Sequence, residues 1–218
     1  MDTSPPELHT IAIFGGSGAT GKALIRHALI RGIKVRALVR NANSMNVKSG
    51  LFEVIEGSLS SADHVEFCLK GCDAAICVFG PRPPYTDIFC EAATRVIVAS
   101  MQKLGLKRLV CQTGGMAGEY PANRTLPFKL MVSMFNRRLP LVASDRAGQE
   151  DAVRQSGLVW TIVKPSRLTN GKANGKWFAG PNVRVSLLSS IARDDLAEFL
   201  LQETLEPQFT RQAIFIHG

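Results

Sequence analysis

A glycine-rich loop near the N-terminus constrains this chain more than any other feature. Residues 15–21 read Gly-Gly-Ser-Gly-Ala-Thr-Gly, with glycine at 15, 18 and 21. The loop follows the apolar run 10–14 and precedes apolar residues at 24, 25, 28 and 29, which have helical spacing. A glycine loop between a buried strand and a helix lets a phosphate approach the free N–H groups of the helix N-terminus. We therefore predict that Gly15, Gly18 and Gly21 belong to a dinucleotide-binding loop.

The same segment offers an alternative interpretation. Residues 16–22 also match G-x-x-x-x-G-K, the beginning of a phosphate-binding loop of nucleotide hydrolases. Such a loop needs Ser or Thr next to hold magnesium, and the chain has Ala23 there. No later predicted strand ends in an obvious metal-binding aspartate. The sequence therefore lacks the residues that would bind magnesium in such a loop.

The end of the second predicted strand indicates which dinucleotide binds. Proteins that select NAD place an acidic residue there, about 20 residues after the loop, to bind the ribose hydroxyl. This chain has no Asp or Glu between residues 8 and 52, and Arg40 takes the acidic position. Because a guanidinium pairs well with phosphate, Arg40 predicts NADP(H) as the cofactor.

Strand and helix patterns alternate along the whole chain. The predicted strands are 10–14, 34–39, 54–55, 74–79, 108–113, 159–163 and 213–216, and the predicted helices are 21–31, 62–69, 86–104, 143–155 and 193–203. This order predicts an α/β fold, a single Rossmann-type doubly wound parallel sheet with helices on both faces, spanning 1–218 as one domain. We interpret 114–141 and 169–183 as loops that wall a substrate site, because ligands bind at the carboxyl ends of such strands.

Composition narrows the class of partner. The net charge is +8, but the basic residues are scattered and form no stripe with aromatics, so we expect no nucleic-acid partner. The five cysteines include no C-x-x-C pair, and Cys77 and Cys111 lie in apolar runs typical of buried residues. The four histidines have no metal-ligand spacing. Without a signal peptide or a membrane-spanning run, we expect a cytoplasmic monomer or weak homodimer with a small-molecule substrate and no membrane partner.

Several segments together resemble a known family. They are the glycine loop, Leu38-Val39-Arg40, Gly57-Ser58-Leu59, residues 161–165 (Thr-Ile-Val-Lys-Pro) and residues 191–197 (Ile-Ala-Arg-Asp-Asp-Leu-Ala). Because these segments occur in this order, the chain resembles atypical short-chain dehydrogenase/reductases of the NAD(P)H-binding, NmrA-like type. It is similar in size to the biliverdin reductase B (flavin reductase) branch. The resemblance covers nearly the whole chain and implies a fold and a cofactor, whereas the reactions in this family differ widely.

The resemblance also implies positions for a bound cofactor. Ser17, Ala19 and Thr20 should line the pyrophosphate, and Arg40 should meet the 2′-phosphate. Ser58 and Leu59 should border the adenine, although position 58 is usually Asp in the family. The implied neighbours of the nicotinamide and its ribose are Gly80, Thr113 and Pro165.

The catalytic residues of related reductases are missing from this sequence. The common Tyr–Lys dyad is replaced by Val142 and Arg146, and the serine and histidine of the biliverdin reductase B pattern are replaced by Gly114 and Arg167. The remaining candidates at the strand ends are Thr113, Tyr120, Arg146 and Arg167, for which packing or ion-pair roles, such as Arg146 with Glu150, stay open.

Three functions remain as hypotheses. The first is an NADPH-dependent reductase of a flat carbonyl, enone or flavin-like substrate, with an apolar wall formed by Met116, Phe128, Met131, Met134 and Phe135. The second is a regulatory protein that senses the NADP redox state, which the missing dyad favours. The third is a non-redox isomerase or cyclase that retains the cofactor.

Overall fold

The computed structural model describes residues 9–119 and 124–218. In chain order the elements are β1 (Thr10–Phe14), α1 (Ala19–Ile30), β2 (Lys34–Val39), β3 (Phe52–Glu56), α2 (Ala62–Leu69), β4 (Ala74–Cys77), α3 (Cys90–Leu104), β5 (Arg108–Gln112), α4 (Leu126–Arg138), α5 (Pro140–Arg154), β6 (Val159–Pro165), β7 (Arg167–Thr169), β8 (Phe178–Gly180), β9 (Ser190–Ala192), α6 (Arg193–Leu205) and β10 (Gln212–His217). A single 3-10 turn, Ala42–Ser44, follows β2.

The main sheet has eight strands in the order β3-β2-β1-β4-β5-β6-β10-β8. The pairs from β3 to β10 are parallel, and only the edge strand β8 runs antiparallel to its neighbour β10. The chain begins at the centre, moves outward to β3 and then returns to β4, so the winding direction reverses between β1 and β4. This topology confirms the predicted doubly wound α/β class, and its reversal point is where such sheets bind ligands.

Each face of the sheet has its own apolar core. On one face α1 and α6 pack together and bury Leu24, Ile25 and Leu200 against the central strands. On the other face α2, α3 and α5 cover the sheet with residues such as Ile97 and Met101. Strands covered on both faces must be apolar along their whole length, which explains the uninterrupted runs in the sequence.

The cysteines pack as core residues, as predicted for Cys77 and Cys111. These two lie opposite each other in β4 and β5 and are fully buried, and the pKa of Cys77 is raised well above its usual value by desolvation. Burial also raises the pKa of Cys68, Cys72 and Cys90 to about 12. A raised pKa disfavours the thiolate, so Cys68, Cys72, Cys77 and Cys90 are suited to packing rather than to nucleophilic chemistry.

The two predicted substrate loops contain regular structure, which corrects the sequence interpretation. Within 114–141 the helix α4 occupies 126–138, because Phe128, Val132 and Phe135 recur at helical spacing and Pro127 suits a first helical turn. Within 169–183 the short strand β8 pairs with β10. The small parallel pair of β7 with β9 was also not predicted, because strands of three residues carry almost no periodic signal. In addition, α3 begins at Cys90 rather than at residue 86.

A buried ion pair joins the sheet to α6 at the edge away from the ligand-binding strand ends. Arg108 Nη2 lies 3.0 Å from Glu203 Oε1, and both side chains are almost fully buried. The hydroxyl of Thr161 donates to the same carboxylate at 2.8 Å, and the backbone N–H groups of Gln208 and Phe209 also donate to it. Burial lowers the pKa of Arg108, and the charge of Glu203 opposes that shift. Each of the two side chains therefore needs the other, since either charge alone would be buried without a countercharge.

We predict that Arg108→Met lowers the free energy of unfolding by about 3–5 kcal/mol, because Glu203 would remain buried without its counter-charge. Urea denaturation followed by circular dichroism measures this loss. The double variant Arg108→Met/Glu203→Met should lose less than the sum of the two single variants. Lys103→Met, which breaks the exposed Lys103–Glu66 pair, is the control and should barely shift the midpoint. Additive losses in the double variant would contradict the prediction.

Candidate functional site

A cavity of about 1290 Å³ runs along the carboxyl ends of the central strands. The segments that immediately follow β1, β2, β3, β4, β5 and β6 all contribute to its lining. The predicted site residues that line it are Gly15, Ser17, Gly18, Ala19, Thr20, Arg40, Ser58, Leu59, Gly80, Thr113, Arg146, Pro165 and Arg167. Residues far apart in sequence are thus brought to one edge of the sheet, as the parallel topology requires.

Two glycines shape the loop between β1 and α1. Gly15 has φ +96°, and a Cβ there would lie 2.7 Å from the backbone nitrogen of Phe79, so no other residue fits. A Cβ on Gly21 would overlap the carbonyl oxygen of Gly15. Gly21 does not line the cavity, so its place is beneath the loop rather than against a ligand. The two glycines let α1 approach β1 closely and direct its N-terminus into the cavity.

The N-terminus of α1 is suited to an anion. No side chain within residues 9–119 and 124–218 caps it, and its first turn contains no acidic residue. The first N–H groups of a helix have no partner within the helix and carry partial positive charge. Arg82, which the sequence analysis did not select, lines the cavity with Nη2 3.7 Å from the point that a Cβ on Gly18 would occupy. The backbone donors and the nearby guanidinium therefore fit a pyrophosphate.

The β2 end of the cavity contains Arg40, an exposed side chain directly after the strand. The nearest acidic residue of the neighbouring strand is Glu56, which accepts a hydrogen bond from the Ala42 nitrogen at 2.8 Å and does not line the cavity. Ser58 also faces this end, with its hydroxyl 2.8 Å from that of Ser60. The charge presented here is positive, which fits a phosphate better than a ribose hydroxyl.

Arg146 lies where β4 and β5 end. Its Nη1 donates to the carbonyl of Phe79 at 3.3 Å and to Gln149 Oε1 at 2.7 Å, and its Nη2 donates to the carbonyl of Thr113 at 2.9 Å. A Cβ on Gly80 would touch this guanidinium at 3.4 Å. The alternative that Arg146 pairs with Glu150 is wrong, since Glu150 pairs with lysine and arginine from other positions. Arg146 is held rigidly by neutral acceptors and keeps its charge available to the cavity.

A buried polar network supports the floor of the site. Lys164 Nζ lies 2.9 Å from Glu150 Oε1, and the hydroxyl of Thr113 donates to the same carboxylate at 2.8 Å. Lys164 also donates to the carbonyls of Ala117 and Glu119, which anchors the segment after β5. Burial lowers the pKa of Lys164, and the charge of Glu150 opposes that shift. Because the Thr113 hydrogen is already donated, its hydroxyl can only accept a bond from a ligand.

One side of the cavity is apolar. Met116, Phe128, Met131 and Phe135 line it, three of them from α4. Met134 does not belong to this wall, because 56% of it is exposed on the outer face of the same helix. Tyr120, the predicted general acid, lies outside the described residues, so its position relative to the wall stays a prediction.

Comparison with known proteins identifies the family. A family profile described as NAD(P)H-binding matches residues 15–207, which is most of the chain. The chain belongs to this NAD(P)H-binding family. Membership confirms the resemblance derived from the glycine loop and the later motifs. Lys22, on which the phosphate-loop alternative depends, does not line the cavity, so that alternative has no structural support.

Three similar proteins share between 16% and 26% of their aligned residues with this chain. An uncharacterised chloroplastic protein of Arabidopsis thaliana is 26% identical over 217 residues, covering 94% of this chain and 75% of its own. Among solved structures, a protein of Bacteroides thetaiotaomicron with a provisional assignment as an epimerase has a TM-score of 0.81 at 22% identity, covering 97% of both chains. A short-chain dehydrogenase/reductase of Veillonella parvula in complex with NADP has a TM-score of 0.80 at 16% identity, covering 97% of this chain and 95% of its own.

Residues 9–119 and 124–218 contain no group of three or more His, Cys, Asp or Glu side chains that could hold a metal ion. Within the same ranges, no helix combines the length and apolar character needed to cross a membrane.

We predict that Gly21→Ala weakens NAD(P)H binding about tenfold or more, although Gly21 does not line the cavity. The new methyl group would displace the Gly15 carbonyl and so move the loop in front of α1. Alanine normally stabilises a helix by about 1 kcal/mol relative to glycine, so a loss of affinity has to come from this contact. Titration of NADPH fluorescence measures the affinity. Gly50→Ala, where nothing lies within 4 Å of the added Cβ, is the control, and equal affinities would contradict the prediction.

Proposed function

We propose that this protein is an NADPH-dependent reductase of a small flat substrate with a carbonyl or enone group. The observation that carries the proposal is the continuity of the cavity. Its lining includes both the N-terminus of α1 and the apolar wall of α4. A dinucleotide with its adenosine at β2 and its phosphates at β1 would bring its nicotinamide to the ends of β4, β5 and β6. The space between the nicotinamide and the apolar wall of α4 would remain for a second molecule, which is the arrangement that hydride transfer needs.

The preference for NADP over NAD rests on Arg40. This guanidinium stands at the end of β2 and lines the cavity, while Glu56 is turned towards the Ala42 nitrogen. A 2′-phosphate would therefore meet a positive charge, and a free hydroxyl would find no carboxylate among the lining residues there. The Veillonella protein with the same fold was solved with NADP, which is consistent with this choice.

The residues of the chain hold and orient the reactants. The N-terminus of α1 and Arg82 would bind the pyrophosphate, Arg40 the 2′-phosphate, and the segments at Gly80, Thr113 and Pro165 would border the nicotinamide half. When bound, NADPH supplies a hydride. The wall from α4 excludes water from the reacting space, and Arg146 or Arg167 would donate hydrogen bonds to a substrate oxygen as negative charge develops.

We predict that Arg40→Ala weakens NADPH binding by about tenfold or more and leaves NADH binding nearly unchanged. The loss of one charge-assisted pair with a phosphate accounts for an effect of this size. Calorimetric titration of each nucleotide into both proteins measures the difference. Lys34→Ala, an exposed basic residue at the opposite end of β2, is the control for net charge. Equal weakening of NADPH and NADH would contradict the phosphate assignment.

We predict that the protein oxidises NADPH in the presence of at least one flavin, quinone or enone. The assay is the loss of absorbance at the reduced nicotinamide band over a panel of such acceptors. Phe135→Ser, which opens the apolar wall, should lower turnover more than it lowers NADPH affinity, because Phe135 belongs to the substrate side of the cavity. Tight NADPH binding without turnover on any acceptor would refute the reductase assignment.

That negative result would favour the second function, a protein that senses the NADP redox state. The observation in its favour is that Val142 and Arg146, which take the places of the common Tyr and Lys, both line the cavity. Valine cannot transfer a proton, and arginine stays protonated near neutral pH. Conversion of a substrate without net loss of NADPH would instead indicate an isomerase or cyclase. A cytoplasmic location, a monomer or weak homodimer, and the absence of nucleic-acid and membrane partners remain predictions from the sequence.

A further inference from the structure

The charges that line the cavity are strongly unequal. Among the described residues, the charged side chains of its lining are Arg40, Arg82, Arg146, Arg167, Arg193 and Asp87. Five positive charges thus face one negative charge, and Asp87 is an exposed residue of the loop before α3. A cavity with this lining attracts anions, and its low-dielectric walls concentrate the field.

The arginines divide into two groups along the sheet. Arg40 and Arg82 lie on the β2 and β1 side, where the phosphates of a dinucleotide would bind. Arg146 of α5 lies where β4 and β5 end, Arg167 follows β6, and Arg193 begins α6. The phosphates of the cofactor therefore account for the first group. The second group, which we name the substrate-side arginines, lies towards the nicotinamide end and faces the remaining space.

The substrate-side arginines lack acidic partners among the described residues. Arg146 donates only to neutral acceptors, and Arg193 Nη1 donates to Asn170 Oδ1 at 2.6 Å. No hydrogen bond or ion pair involves the side chain of Arg167 in the described structure. Arginines elsewhere in the described chain do form ion pairs with carboxylates. They are Arg26, Arg31, Arg36, Arg95, Arg108 and Arg154.

The acidic residues nearest to Arg193 are engaged elsewhere. Asp194 pairs with Arg26 and His27 of α1, and Asp195 accepts hydrogen bonds from the backbone nitrogens of Asn174 and Gly175. The missing countercharge is therefore not available from the start of α6. A negatively charged ligand in the cavity would neutralise the positive charge of the substrate-side arginines.

We infer that the substrate is an amphipathic anion: a flat apolar body carrying a carboxylate or phosphate group. Its body would lie against the apolar wall of α4, and its anionic group would meet the substrate-side arginines. Arg146 is fixed by its acceptors and presents an oriented charge, whereas Arg167 at the mouth is free to close on the ligand. The inference that this anion is a substrate rests on the proposed function. The binding of the anion can be measured without turnover.

The test compares three probes with the same naphthalene body: 2-naphthoate, its neutral isostere 2-naphthamide, and 2-naphthyl phosphate. Each is titrated calorimetrically into the protein with saturating NADP⁺ and, separately, into the protein without nucleotide. We expect at least one anion to bind more tightly than the amide, on the order of tenfold, which corresponds to about 1.4 kcal/mol. The two anions distinguish carboxylate from phosphate as the preferred group.

Two variants locate the site. Arg167→Gln removes a charge that makes no structural contact in the described chain, so folding is preserved, and it should reduce the preference for the anion about fivefold or more. Lys172→Gln removes one exposed charge from a nearby loop that does not line the cavity, and it should leave the preference intact. Competition between the anion and a neutral apolar probe, 2-naphthol, should confirm that both occupy one site.

Several results would overturn the inference. They are equal affinities for the anions and the amide, no measurable binding of either anion, or the same loss of preference in Lys172→Gln as in Arg167→Gln. With NADP⁺ bound normally, these results would leave the reductase proposal standing. If NADP⁺ itself failed to bind, the reductase proposal would fall, and the titrations without nucleotide would still decide whether the anion site exists.

Discussion

The close approach of α1 to β1 is the contact on which the site depends. Gly21 lies directly against the Gly15 carbonyl, and Gly15 itself takes a left-handed conformation beside the backbone of Phe79. These contacts tie together the ends of β1 and β4, which border the reversal point of the sheet. A helix held this close presents its unpaired N–H groups to the cavity rather than to the bulk solvent, and the cradle for phosphate follows from that placement.

The charged residues around the site fall into two sets: buried residues that form ion pairs, and arginines of the cavity lining that do not. Beneath the cavity, Lys164 and Glu150 compensate each other and fix the segment after β5. At the opposite end of the sheet, Arg108 and Glu203 do the same for α6. Along the cavity itself the arginines have no such partners among the described residues. The structural charges are thus internally balanced, and the unbalanced ones face the space that ligands would enter.

Much of the nucleotide half could be predicted from sequence because it depends on local relations. The glycine spacing, the adjoining strand and helix, and Arg40 at the end of the second strand are all features of short segments. Arg82 escaped prediction because it follows β4 by several residues in a proline-rich loop and reaches Gly18 only through folding. Helix α4 was missed for a different reason, since Pro127 near its start and Pro140 just after it obscured a helical pattern that Phe128, Val132 and Phe135 do carry.

The sequence by itself determined the α/β class, the dinucleotide loop and the identity of the charge at the end of β2. These properties follow from hydrophobic periodicity, glycine conformation and residue type within about 20 residues of chain. Only the tertiary structure decided that Glu150 pairs with Lys164 rather than with Arg146, that Thr113 donates its hydrogen to Glu150, and that Arg146, Arg167 and Arg193 line one cavity. Those outcomes depend on distances between strands and helices that are remote in sequence, and no local pattern encodes which of several possible partners a side chain reaches.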